Sequence, residues 1–228
     1  MTKIRTPLQR LQDLIPPPEQ PTEAGSSKLR RSVERALGSP LPTDLYEFAL
    51  VYGSGRFHSR ESGCLLQICN PFSGAFFDQV VDWANLCRDL KKAEGDSYIP
   101  YDLYPERPGL LALGDDDNGR FIFWLTEGEP DEWPILVWPL ERQFKRIDKS
   151  LNEFLYQLFS GTIDCWGGDK RSTWFKTHRK ELAFSPVEPI SPKEKPTAKK
   201  KPADSIRDAV RSAMEALGND ATSSNIQR

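Results

Sequence analysis

The chain has 228 residues, 38% of them apolar and 28% charged, which gives room for one well-filled domain with appendages. No stretch approaches the roughly 18–20 apolar residues of a membrane span, and the first 25 residues lack the apolar run of a signal peptide, so a cytoplasmic protein is expected. The net charge of −2 hides an asymmetry: residues 26–163 carry 15 basic and 21 acidic side chains, residues 164–228 carry 13 and 9, and an acidic body with a basic tail argues against nucleic acid as the body's main partner.

In chain order, residues 1–25 read as a flexible N-terminal segment, because "LIPPP" stops any helix and prolines cluster over 16–21. The domain proper is expected over 26–184. "SKLRRSVERAL" (27–37) sets Leu29, Val33, Ala36 and Leu37 on one helical face, with Gly38 as the stop. "LPTDLYEFALVYG" (41–53) gives a second helix, started by Pro42 and Thr43, faced by Leu45, Phe48, Ala49 and Tyr52, and ended by Gly53. "GRFHSRESG" reads as a polar loop, and "CLLQIC" (64–69) as a strand closed by "NP". A long helix follows from Ala75 to Ala93, with Phe76, Val80, Trp83, Ala84, Cys87 and Leu90 along one stripe.

After a loop rich in Tyr and Pro, "GLLAL", "RFIFWL" and "PILVWPL" form a three-stranded antiparallel meander. In 120–125, Ile122 and Trp124 fall on one face while Phe121, Phe123 and Leu125 fall on the other, the mark of a central strand covered on both sides. Ser150 and Glu153 form an S-x-x-E capping box ahead of Leu151, Phe154, Leu155, Leu158 and Phe159, and Gly161 closes that helix. "CWGGDKRSTWFKTHRKELAF" is expected to pack back through Trp166, Trp174 and Phe175. A Pro/Lys-rich linker (185–203), an amphipathic helix (204–218, with Ile206, Ala209, Val210, Ala213 and Leu217 on one side) and a disordered tail (219–228) complete the chain. The fold class is α+β, an antiparallel meander packed with several helices.

The residues that invite chemistry lie in "ALGDDDNGRFIFWLTEGEPDEWPILVW" (112–138). A calcium loop would start Asp115, Asp117, but Gly119 stands where the third ligand belongs, and Thr126 takes the place of the closing glutamate. The cysteines, Cys64, Cys69, Cys87 and Cys165, include no C-x-x-C pair and read as small apolar fillers, so no metal is expected. His58 and His178 lack a neighbour with which to build a nucleophile–base pair, and no phosphate-binding loop or hydrolase motif occurs; no catalytic residue and no cofactor are assigned. Asn118-Gly119 suits a type I′ hairpin turn, with Asp115, Asp116 and Asp117 keeping its tip solvated. The next connection repeats the acidic bias with Glu127, Glu129, Asp131 and Glu132. Those seven acids are the candidate contacts for a protein partner, although successive meander turns sit at opposite ends of the strands.

"LPTDLYEFALVYGSGRF", "GLLALGDDDNGRFIFWL", "EWPILVW" and "SLNEFLYQLFSG", in that order, resemble the SUKH superfamily of bacterial immunity proteins and fungal cell-wall assembly regulators. The resemblance spans about 27–163. It implies helices around an antiparallel sheet and a non-enzymatic role, commonly neutralising a toxin by direct contact. The positions that carry it are architectural: Pro42, Phe48, Gly53, Gly114, Asn118, Gly119, Trp124, Trp133, Ser150 and Phe154. A nuclease-type toxin would suit acidic loops; the alternative role is an adaptor or scaffold whose terminal helix engages a second protein.

Overall fold

The computed structural model describes residues 4–59, 63–116, 119–139, 143–165, 176 and 179–187. The first surprise lies in the proline-flanked N-terminus. Pro7–Leu14 is a helix (α1), opened by a reciprocal box in which Thr6 Oγ1 accepts from Gln9 N–H (3.2 Å) and Gln9 Oε1 accepts from Thr6 N–H (2.9 Å). Leu11 and Ile15 are fully buried, so the expectation of a flexible segment over 1–25 is corrected for the described part. "LIPPP" does end the helix, but eight residues before it suffice to bury an apolar face.

Helix α2 (Ser27–Leu37) starts at Ser26, whose Oγ accepts from Leu29 N–H, and ends at Gly38 in the left-handed region. Helix α3 (Thr43–Tyr52) follows Pro42 and stops at Gly53. The supposed polar loop then forms strand β1 (Gly55–Ser59), whose Gly55, Phe57 and Ser59 turn inward; it pairs with β2 (Gly63–Ile68). Helix α4 (Phe76–Glu94) leads to the two-residue β3 (Asp102–Leu103) and the meander β4 (Gly109–Asp115), β5 (Phe121–Leu125) and β6 (Ile135–Trp138). Strand β7 (Lys145–Ile147), helix α5 (Leu151–Phe159) and strand β8 (Ala183–Pro186) follow.

Among the described residues the strands make one eight-stranded sheet in the order β7-β6-β5-β4-β2-β1-β8, with β3 beside β4. The α+β class and the central meander agree with expectation; the β3–β4 pair is parallel, a departure from it. Gly114 is where β2 and β4 meet. A Cβ there would lie 2.5 Å from Gln67 O, so only glycine lets the two backbones come this close.

Both faces of β5 are covered. Ile122 and Trp124 enter a core shared with α1, α2, α3 and α5, while Phe123 and Leu125 join Cys87, Ile99, Leu136 and Trp138 beneath α4. Two carboxylates fasten the helices from outside. Asp131 accepts from Thr43 N–H (2.6 Å) and its hydroxyl (3.2 Å), capping α3. On α3, Asp44 accepts from Asn152 N–H (3.2 Å) at the start of α5. Ser150 caps α5 as expected, but Glu153 does not complete the box; it pairs with Arg10 and Gln157.

The sheet ends in β7, short and carrying Lys145 and Arg146, and in β8. Val187 N–H donates to Ser54 O, so strand alternation turns the nitrogen of Pro186 away from β1. Trp166, Trp174, Phe175 and His178, most of the 185–203 linker and all of 204–228 lie outside the described residues. Strand β8 runs to Pro186, two residues past the expected domain limit of 184.

Candidate functional site

The β4–β5 connection is built differently from a solvated acidic tip. Asp116 N–H donates to Arg120 O (3.1 Å) and Gly119 N–H to Asp116 O (3.3 Å), with Gly119 at φ 71°. Three residues therefore separate the paired Asp116 and Arg120, and glycine takes the position that needs a positive φ; the expected two-residue type I′ turn at Asn118-Gly119 is corrected. Asp117 and Asn118 themselves lie outside the described residues.

Asp116 is buried. Its Oδ1 accepts from Arg120 N–H (3.0 Å) and its Oδ2 from the Arg120 guanidinium (2.8 Å), which makes it an internal lock on the hairpin rather than a solvated charge. Asp115 is half-buried in β4, opposite Phe121 on one side and Gln67 on the other.

The β5–β6 connection is rigid and exposed at once. Thr126 pins its start to Gly109, its hydroxyl accepting from Gly109 N–H (2.9 Å) and its N–H donating to Gly109 O (3.0 Å). A short 3₁₀ turn spans Pro130–Glu132. Behind it Trp133 is buried edge-on to Trp124, its Nε1 donating to Gly128 O (3.2 Å), with the Arg107 guanidinium 5.6 Å from its ring centre. Glu127 pairs with Arg146 of β7 (2.7 Å), and Asp131 caps α3. Glu127, Glu129, Asp131 and Glu132 are all exposed.

The seven predicted contact acids thus divide. Glu127, Glu129, Asp131 and Glu132 share one loop; Asp115 and Asp116 sit at the other end of β5, on the order of 20 Å away at strand rise. Sequence reasoning missed the groups that hold the loop. Thr43 and Arg146 lie 88 and 19 residues from their acidic partners, and no local pattern announces such pairs.

Burial shifts several titratable groups. Burial pushes the Cys87 and Cys165 thiols up to about 12 and holds Cys69 well above the ordinary thiol value, which fits packing rather than reactivity. Burial also raises the Asp44 carboxyl above its ordinary 3.8, against hydrogen bonds from Asn152, Leu151 and Ser150 that act to lower it. Among the described residues no group of His, Cys, Asp and Glu is arranged to hold a metal ion, and no helix is long and apolar enough to cross a membrane.

A family model, SUKH_6, described as SMI1-KNR4 cell-wall, matches residues 28–155. No curated protein and no solved structure matches the chain.

Proposed function

The chain belongs to the SUKH superfamily, and from that premise we propose that it is a non-enzymatic protein-binding module of the immunity type, neutralising a toxin by direct contact. The observation that carries this reading is the β5–β6 loop: Glu129 and Glu132 stand exposed on a segment fixed at Thr126, Asp131 and Trp133. A charged loop that is already ordered loses little conformational freedom on binding, so its charges steer association without an ordering cost. A basic, nuclease-type toxin is the partner such a loop suits. The acids of the hairpin at the far end of β5 take a lesser part, since Asp116 is committed to Arg120.

The test is association kinetics with a captured partner, comparing the natural chain with Glu129→Gln/Glu132→Gln. Slower association and a shallower dependence on salt are expected, with dissociation little changed. Identical kinetics at every ionic strength would remove this loop from the interface.

A further inference from the structure

Trp133 holds the turn that carries Glu129 and Glu132. Its backbone N–H donates to Pro130 O (3.2 Å), the Glu132 N–H donates to Glu129 O (2.9 Å), and the indole Nε1 donates to Gly128 O (3.2 Å), so indole and 3₁₀ turn form one unit. The indole is buried, edge-on to Trp124 with 6.3 Å between ring centres. A further contact reaches it from the segment ahead of β4. The Arg107 guanidinium lies over the Trp133 ring, 5.6 Å from its centre, within the range where a cation is drawn to an indole face.

Arg107 is itself well placed to act as a clasp. Its segment folds back tightly: Glu106 N–H donates to Leu103 O (3.1 Å), Tyr104 N–H to Leu110 O (3.1 Å), and a Cβ on Gly109 would lie 2.2 Å from Glu106 O. The Tyr104 hydroxyl donates to Leu37 O (2.5 Å), and the Arg107 guanidinium donates to Oγ of the buried Ser39. Arg107 thus joins the α2–α3 connection, the segment ahead of β4 and the β5–β6 loop. The α2–α3 connection grips that loop twice, at Ser39 through Arg107 and at Thr43 through Asp131. A guanidinium suits the task because it donates along its edge while its face meets an aromatic ring. Among the described residues no carboxylate pairs with Arg107, although Glu106, Glu129 and Glu132 all stand exposed at this end of the sheet.

We propose that Arg107 is the positioning residue of the β5–β6 binding loop, acting through Trp133 to hold Glu129 and Glu132 where a cationic partner meets them. The inference rests on the protein-binding reading above and adds to it the group that keeps the loop in its binding-competent place. Charge and position make opposite demands here. Arg107 carries the same sign as a basic partner, so as a charge alone it slows encounter. As a clasp it speeds association, because molecules whose turn has swung away are lost from the competent fraction.

The test compares the full-length natural chain with Arg107→Ala and Arg107→Lys by amide hydrogen exchange and by association kinetics with the captured partner. In Arg107→Ala the amides of Glu132 and Trp133 are expected to exchange about 3- to 10-fold faster, while that of Thr126, bonded to Gly109 O, keeps its rate. Association is expected to slow by about 2- to 5-fold in spite of the lost positive charge, and Arg107→Lys, which keeps a cation for the indole, to restore most of both effects. Unchanged exchange at Glu132 and Trp133 would overturn the proposal, as would association of Arg107→Ala as fast as the natural chain's or faster. Should Arg107→Ala lose its fold, Arg107→Gln, which keeps a donor for Ser39, takes its place in both measurements. The exchange measurement needs no partner. If Glu129→Gln/Glu132→Gln leaves the kinetics untouched, the loop's part in binding falls, while the hold of Arg107 on the turn is still read from exchange.

Discussion

At the scale of single residues, the buried Asp116 and the half-buried Asp44 sit in different surroundings. Asp116 accepts from the Arg120 guanidinium, and Arg120 also donates its backbone N–H to the same side chain. Asp116→Ala leaves that N–H and the half-buried guanidinium without their acceptor and should cost about 1–3 kcal/mol, read as a lower denaturant midpoint at unchanged slope. Asp44 sits where burial disfavours charge. Its carboxyl holds a proton more readily folded than unfolded, so its contribution to stability is complete below about pH 3.8 and is lost as pH rises through the raised folded value. Asparagine stays neutral throughout. The stability of Asp44→Asn relative to the natural chain should therefore rise from pH about 4 to about 7. Paired denaturant melts at those two values check the sign, and a fall would refute it.

Elements show why much of the fold could be read in advance while some could not. The α2, α3 and α5 segments carry their own start and stop signals, namely Ser26, Gly38, Gly53 and Ser150, and local signals survive translation from sequence to structure. The two-sided apolarity of β5 placed it at the centre of the sheet for the same local reason. Strand β1 was missed because only Phe57 supplies a large apolar side chain among its inward positions, and β7 because its three residues are two cations and one isoleucine. Helix α1 is hard to read from sequence because its apolar stripe spans barely two turns and Pro16, Pro17 and Pro18 follow at once as helix breakers. The acidic loops were legible as composition but not as roles: Asp131 is a cap for α3 and Asp116 a hairpin lock, and both depend on partners found only by folding. At Gly114, the close approach of β2 and β4 means that Gly114→Ala must move Gln67 or break the pairing, at a cost of about 1–3 kcal/mol in a thermal or denaturant melt.

For the molecule as a whole, the helices divide the labour of burial between the two faces of one sheet, and Asp131 and Asp44 link the β5–β6 loop through α3 to α5. That linkage makes the loop part of the rigid body, so partner binding at Glu129 and Glu132 should proceed without reshaping the core. The adaptor alternative makes a different demand. Removing residues 204–228 should leave protection against a toxin intact if the body is the binding module; loss of binding on truncation, with an unchanged melt, would favour the adaptor role.

The outermost strands carry one more implication. Pro186 offers no N–H on the side facing away from β1, and the opposite border is three residues long with Lys145 and Arg146 upon it. Among the described residues, the proline on one border and the two cations on the short other border disfavour zipping onto an extended peptide through main-chain bonds. A partner of the proposed kind should therefore read side chains, discriminating sharply among point variants of the surface while remaining indifferent to changes along these two borders.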